Sequence, residues 1–236
     1  MMKNYLNTIL QETETNVNAS QFDKLIKYAD ILKNSIHKSY ASWDDDKKGM
    51  DMHFKDTFLN IPKVQVNNFL DIGSGAGIPG IIYSILWSDV SAVLIDSRLQ
   101  RINFLKALVN ELDLNKRVNV LCKRAETFAH DKNYREKFDL VTARALAPIE
   151  QFIEYSVGFV KENGYLHAIR GINDRISLIE YQNILDYFYL TLEKDVTYKL
   201  NDTTPIRWSA IFRKTKITDS GFPRSLNKIK CGLFRK

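Results

Sequence analysis

Short, continuous apolar runs alternate along the chain with longer stretches in which apolar residues recur every three or four positions. The short runs predict five buried strands, at residues 64–71, 90–96, 118–123, 138–143 and 165–170. The longer stretches predict helices at residues 79–86, 98–112, 148–160 and 175–187. Two late strands, near 196–200 and at 208–212, are expected to pair. This alternation predicts an α/β fold with a doubly wound, mostly parallel sheet, whose ligands bind outside the carboxyl ends of the strands.

The segment before the first strand has a different pattern. Apolar residues at helical spacing predict two helices within residues 3–40, with Ser20 placed to cap the second, and residues 44–49 predict a polar turn. We therefore divide the chain into an N-terminal helical region (1–60), a main α/β domain (61–213) and a C-terminal tail (214–236).

Composition narrows the class of protein. With 44% hydrophobic and 26% charged residues among 236, the chain predicts a soluble globular protein. No apolar run approaches the roughly 20 residues of a membrane span, and the amino terminus lacks the layout of a signal peptide. Cys122 and Cys231 have no metal-ligand spacing. We expect a cytoplasmic, monomeric protein with free thiols, no metal and no membrane partner.

Positive charge is concentrated at the carboxyl terminus. Residues 213–236 contain eight Lys and Arg against Asp219 alone, a net charge of +7, whereas the whole chain carries +6. Such a tail indicates a polyanionic partner, with RNA as the first candidate. The alternative is a solvated tail that binds nothing, and charge alone does not separate the two.

The chemistry is concentrated in the glycine-rich segment 69–80, Phe-Leu-Asp-Ile-Gly-Ser-Gly-Ala-Gly-Ile-Pro-Gly. Gly73, Gly75 and Gly77 allow a sharp turn between a strand and a helix, and the helix start offers unpaired N–H groups. Asp96 closes the second apolar run, where a carboxylate can hold a ribose diol. Together these features predict a nucleoside cofactor site.

Two cofactors fit the glycine loop. Gly75-x-Gly77-x-x-Gly80 satisfies the dinucleotide pattern, so an NAD-dependent oxidoreductase is one hypothesis. Asp71 lies just before the loop, where it can meet a methionyl ammonium group, and the loop has no basic residue for a pyrophosphate. These two details favour S-adenosylmethionine. A tight turn without a ligand is the remaining alternative.

Longer motifs resemble a known family. They are Asp71-Ile-Gly-Ser-Gly-Ala-Gly-Ile-Pro-Gly80, Leu94-Ile-Asp-Ser97 with Arg101 and Phe104-Leu105, Arg124-Ala-Glu126, Thr142-Ala-Arg-Ala145, Ala168-Ile-Arg-Gly171, Phe222-Pro-Arg224 and His53-Phe-Lys-Asp56. Over residues 50–236 the chain resembles the bacterial 16S (small-subunit) ribosomal RNA guanine-N7 methyltransferases, the RsmG or GidB family. The resemblance implies a Rossmann-like class I methyltransferase fold, S-adenosylmethionine as cofactor, and 16S ribosomal RNA or the small ribosomal subunit as partner.

The resemblance also implies roles for single residues. Gly73 and Ile78 would line the methionyl and ribose side of the cofactor, Ala125 and Glu126 would meet the adenine, and Arg144 would reach the bound cofactor. Guanine presents acceptors at N7 and O6, so arginine donors are the expected base readers. The candidates for RNA contact are Arg144, Arg170, Arg224, Lys228 and Lys230. Arg170 stands where the family has lysine, Gln100-Arg101 replaces its basic pair, and its Asn-Leu-Thr stretch is not intact near residues 40–42.

Methylation of guanine N7 needs no general base from the protein, because N7 carries a lone pair and no proton at neutral pH. The chain also lacks the Asn/Asp-Pro-Pro-aromatic motif of amino-group methyltransferases, and neither cysteine follows a proline. We therefore assign no catalytic residue, and His53 remains more consistent with packing than with catalysis. A non-enzymatic RNA-binding module and a methyltransferase acting on a small molecule or protein stay open as alternatives.

Overall fold

A seven-stranded sheet organises the molecule, in a computed structural model that describes residues 1–35, 43–180 and 183–233. The strand order is β3-β2-β1-β4-β5-β7-β6; the first five are parallel, and β7 is antiparallel to both β5 and β6. The strands are β1 Asn68–Ile72, β2 Ser91–Asp96, β3 Val118–Cys122, β4 Phe138–Arg144, β5 Val160–Gly171, β6 Leu190–Tyr198 and β7 Arg207–Lys214. The carboxyl ends of β1 to β5 therefore meet at one edge, as the sequence predicts.

Helices cover both faces of this sheet. In the described residues they are α1 Met2–Glu12, α2 Ala19–Asn34, α3 Asp46–Met50, a π-helical turn Asp51–Lys55, α4 Asp56–Phe58, α5 Gly80–Leu86, α6 Leu99–Glu111, α7 Ala125–Phe128, α8 Ile149–Val157, α9 Ile172–Glu180, α10 Asn183–Tyr187 and α11 Leu226–Lys230. None of these helices is both long enough and apolar enough to cross a bilayer.

Two hydrophobic clusters lie on opposite faces of the sheet, because successive strand residues point to opposite sides. Phe69 belongs to one cluster, with buried residues of α1, α2, α5 and α6. Leu70 belongs to the other, with buried residues of α7 and α8. The N-terminal helices thus share a core with the sheet. Gln21 Nε2 also donates to the carbonyls of Ile85 (3.2 Å) and Leu86 (2.9 Å) at the end of α5.

Several local predictions need correction. Asn18, not Ser20, caps α2: its side chain accepts from Gln21 N, while the Gln21 side chain accepts from Asn18 N. The segment predicted as a polar turn forms α3, capped by Asp45. Strand β1 begins later than residue 64, and the predicted helix 148–160 ends at Val157 because β5 begins at Val160. The predicted helix 175–187 corresponds to α9 and α10, which flank 181–182, outside the described residues. The missing Asn-Leu-Thr stretch near 40–42 also falls outside them.

Candidate functional site

The glycine loop leaves β1 in a tight turn. The N–H groups of Gly73 and Ser74 both donate to the carbonyl of Ile95 on β2, at 2.8 and 3.0 Å. Gly73, Gly75 and Gly77 have φ angles of +67°, +57° and +97°, which side-chain-bearing residues rarely adopt. The turn therefore needs glycines at these positions, and it ties the loop to the end of the neighbouring strand.

Asp71 lies buried beneath this loop. Its Oδ2 accepts from the N–H of Gly80 at 3.2 Å, and a Cβ at Gly80 would lie 2.5 Å from that oxygen. Among the described residues its Oδ1 has no hydrogen-bond partner. Burial raises the pKa of Asp71 to about 7, because the charged carboxylate loses its hydration. A nearby cation would therefore stabilise the charged form of this carboxyl group beneath the loop.

A cavity of about 440 Å³ opens in front of the loop, at the carboxyl ends of β1 to β4. Four predicted cofactor residues line it: Gly73, Asp96, Ala125 and Glu126. The residues that complete the lining are Ile72, Ile95, Ser97, Arg98, Arg101, Lys123, Arg124, Leu146, Ala147, Pro148, Gln151, Tyr155 and Lys230. Its size is in the range of small-molecule sites.

Asp96 is a preorganised acceptor in this cavity. Its Oδ1 accepts from Arg98 N at 2.9 Å, and its Oδ2 accepts from Gly75 N and Arg101 Nη1, both at 3.2 Å. A carboxylate has about four lone-pair sites, so these three bonds leave one for a ligand donor. Gly75 does not line the cavity, but it fixes the orientation of the residue that does.

Glu126 also lines the cavity and is paired with Arg124. It is 8% exposed at the start of α7, and its Oε1 accepts from Arg124 Nε at 2.6 Å. Because both carboxylates of the lining already have basic partners, the rim of the cavity is positively charged overall. Arg98, Arg101, Lys123, Arg124 and Lys230 contribute that charge.

The loop after β4 closes one side of the cavity. Ala145 has φ +50°, and a Cβ at Gly73 would collide with Leu146, so the loop packs directly on the glycine turn. Behind the loop, Arg170 is 3% exposed and donates through Nη1 to the carbonyl of Ala147. In the described part of the chain its Nε and Nη2 have no hydrogen-bond partner, and its Cζ lies 4.7 Å from the centre of the Phe152 ring. Burial lowers the pKa of Arg170 to about 10, so the guanidinium stays charged at neutral pH.

Arg144 lies outside the cavity, at the π-helical turn. Its Nη1 donates to Met52 O at 2.7 Å and to Asp56 Oδ2 at 3.3 Å, and its Nη2 lies 3.2 Å from His53 Nδ1. The buried Asp56 also accepts from Tyr198 at 2.7 Å and Arg207 at 3.3 Å. The His-x-x-Asp element and Arg144 therefore form one polar cluster, which sequence spacing alone could not join.

The other predicted residues are dispersed. Gly77 and Ile78 do not line the cavity, and Ile78 is 5% exposed in the hydrophobic core. Arg224 is held by Glu154, and Lys228 lies outside the cavity lining. Lys230, predicted for RNA contact, is the one RNA candidate that lines the cavity among the described residues. In that same part of the chain no group of His, Cys, Asp and Glu could hold a metal ion.

The sequence comparisons agree on one family, and a solved structure shares the fold. The sequence profile described as "GidB: rRNA small subunit methyltransferase G" matches residues 21–196. "Ribosomal RNA small subunit methyltransferase G" of Streptococcus pneumoniae is 34% identical over 92% of this chain and 92% of its own length. The protein of the same name from Desulfitobacterium hafniense is 33% identical, over 91% and 90%. An O-methyltransferase from Bacillus cereus, solved in complex with SAH, shares the fold: its TM-score is 0.58 at 13% identity, covering 91% of this chain and 100% of that one.

Proposed function

Because this chain belongs to the rRNA small subunit methyltransferase G family, we propose that it transfers a methyl group from S-adenosylmethionine to N7 of a guanine in 16S ribosomal RNA. The observation that carries this proposal is the cavity at the carboxyl ends of β1 to β4, in which the glycine loop and Asp96 come together. The reaction belongs in the bacterial cytoplasm, where ribosomal subunits are assembled, and we propose a monomeric enzyme.

The lining fits S-adenosylmethionine in three places. Asp96 keeps a lone-pair site for a ribose hydroxyl, and Ala125 and Glu126 would border the adenine. The glycine turn at Gly73 would border the methionyl group, above the unpartnered Oδ1 of Asp71. The ammonium of that group would add its positive charge to that of Arg144, which already favours the charged form of this buried carboxyl.

The cofactor supplies an activated methyl group, so the protein has to bind and orient the two reactants. Guanine N7 carries an in-plane lone pair and needs no general base. No histidine lines the cavity in the described part of the chain, and both lining carboxylates already accept hydrogen bonds. This arrangement supports catalysis by alignment of N7, methyl carbon and sulfur, which is a proximity effect.

Base recognition then falls to donors near the loop after β4. Arg170 lies directly behind that loop and has two nitrogens, Nε and Nη2, without a hydrogen-bond partner in the described residues. It is the candidate reader of guanine O6, and because it is 3% exposed, this contact requires the loop to move aside. Arg144, at the end of β4, is the second candidate, and it would have to exchange its bonds to Met52 and Asp56 for a bond to the base. A reader must leave N7 free, so we assign it to O6 rather than to the bidentate N7 and O6 contact.

The test is methyl transfer to unmethylated small-subunit ribosomal RNA, offered as naked RNA and as assembled subunits. Radiolabelled S-adenosylmethionine should label the RNA at one guanine. Chemical treatment that cleaves RNA at 7-methylguanosine should then cut the strand at that position. Label at a ribose or an exocyclic amine would contradict the N7 assignment. Binding of NADH in place of S-adenosylmethionine would instead favour an oxidoreductase.

A further inference from the structure

The carboxyl-terminal residues 215–231, here called the C-terminal strap, are bound to the α/β domain rather than extended into solvent. Arg135 donates to four carbonyls, of which three belong to the strap: Thr218 (3.1 Å), Asp219 (2.9 Å) and Phe222 (2.8 Å). Glu136 Oε1 accepts from Thr218 N at 2.6 Å. Two adjacent side chains of the domain thus fix the first half of the strap.

The second half is fixed by an ion pair. Glu154 of α8 is 2% exposed and accepts three hydrogen bonds from Arg224: from its backbone N at 3.0 Å, Nε at 2.8 Å and Nη2 at 2.7 Å. Ile229 of α11 is 1% exposed and belongs to the core cluster. The guanidinium of Arg224 is therefore bound to an internal carboxylate and anchors the strap.

This anchoring has a specific result at α11. Lys230 lines the cofactor cavity, while Lys228, two residues earlier in the same helix, does not. Both are exposed. Two residues correspond to about 200° around a helix, so the two lysines leave it in nearly opposite directions. In the described part of the chain Lys230 has no ion-pair partner.

Lys230 joins other cations at the mouth of the cavity. Arg98 and Lys123 line the same opening, and neither has an acidic partner in the described residues. The acids of the lining, Asp96 and Glu126, are occupied by Arg101 and Arg124. The mouth therefore presents positive charge that no acidic side chain in the described part of the structure neutralises. An anion separate from the cofactor can bind to this charge.

We propose that the C-terminal strap holds Lys230 as a phosphate-binding cation at the mouth of the cavity, so that the RNA backbone beside the target guanine crosses the mouth and covers the bound cofactor. This inference rests on the proposed function. Phosphate contacts from lysine position a nucleic acid without reading its sequence. RNA should then bind on top of the cofactor and slow its release. Nonspecific attraction of RNA to the basic tail would not slow cofactor release.

The experiment compares Lys230→Gln with Lys228→Gln, a matched control with the same charge change on the same helix. Affinity for a small-subunit ribosomal RNA transcript is measured from 50 to 200 mM salt, with the full-length proteins saturated with S-adenosylhomocysteine. Loss of one phosphate contact lowers the log–log salt slope by about 0.7–0.9. We expect that loss in Lys230→Gln and an unchanged slope in Lys228→Gln. Because Lys230 lines the cavity, cofactor affinity without RNA is measured in both variants, and a loss of cofactor affinity in Lys230→Gln with an unchanged salt slope would overturn the inference.

A second readout tests whether RNA covers the cofactor. Dissociation of a fluorescent cofactor analogue is followed after dilution, with and without RNA. RNA should slow dissociation several-fold in the wild type and in Lys228→Gln, and clearly less in Lys230→Gln. Identical behaviour of the two variants in both assays would overturn the inference while leaving RNA methylation intact. A wild-type protein that neither binds nor methylates the RNA would overturn the proposed function instead.

Discussion

Cofactor binding should release a proton from Asp71. Burial raises the pKa of this carboxyl to about 7; the Ser74 hydroxyl, the Gly80 N–H and Arg144 act against burial, and Asp96 adds to it. In the free protein below pH 7 Asp71 therefore holds a proton. The ammonium of S-adenosylmethionine, bound at the glycine turn, favours the charged carboxylate, so binding expels that proton.

The sign and size of the effect follow from this linkage. Where the free protein holds the proton and the complex does not, affinity changes tenfold per pH unit, about 1.4 kcal/mol. Affinity should rise as pH rises from 5.5 to 7 and level off above 7. Between pH 5.5 and 7 we expect a change of roughly sixteen-fold, or about 1.6 kcal/mol, because half of the free protein still holds the proton at pH 7. Asp71→Asn cannot release the proton, and its affinity should be nearly independent of pH in this window.

Calorimetry in buffers of different ionisation enthalpy counts the protons released. We expect close to one proton at pH 5.5–6 in the wild type, none in Asp71→Asn, and none for methylthioadenosine, which lacks the ammonium group. Asp71→Asn must first be shown folded by its melting curve, because Asp71 supports Gly80. The reasoning is refuted if the wild type releases no proton, or if Asp71→Asn keeps the wild-type pH dependence.

Three further predictions concern the ribose, the chemical step and acid stability. Asp96→Ala should lose at least tenfold in cofactor affinity by calorimetry, because hydrogen bonds to a charged acceptor contribute roughly 1.5–3 kcal/mol; unchanged affinity in a folded variant would remove the ribose assignment. With saturating cofactor, the single-turnover rate should be nearly flat from about pH 6.5 to 9, since N7 carries no proton, and a steep single-pKa rise would indicate a proton-bearing acceptor. Burial lowers the pKa of His167 to about 3, so its share of stability should fall as pH falls from 6.5 towards 3, by about 1.4 kcal/mol per unit. Urea unfolding should show a shallower acid loss in His167→Gln, and equal slopes would contradict this.

The sequence predicted the sheet well because buried parallel strands are short apolar runs bounded by turns, and that signal is local. Segment 90–96 matches β2 Ser91–Asp96 almost residue by residue, and the late strands pair as expected. Errors arose where two local signals competed. Ser20 and Asn18 are both good caps, and only the reciprocal bonds with Gln21 decide between them.

Cavity-lining residues were predictable where they follow a strand, and not where tertiary pairing redirects a side chain. Asp96 and Glu126 reach the cavity because the strands before them end at its edge. Arg144 also ends a strand, but Asp56, 88 residues earlier, binds its guanidinium outside the cavity. Arg224 is likewise taken by Glu154, 70 residues away. No local pattern shows such distant partners.

The position of β7 between β5 and β6 has a consequence for synthesis. Strand β5 pairs with β7 from Tyr165 to Gly171, and β6 pairs with β7 rather than with β5. A growing chain therefore displays the unpaired edge of β5 until Arg207–Lys214 has left the ribosome. Exposed strand edges are templates for pairing with another chain. We expect nascent chains that end before β7 to be prone to aggregation and good chaperone clients, although most of the parallel sheet is already made.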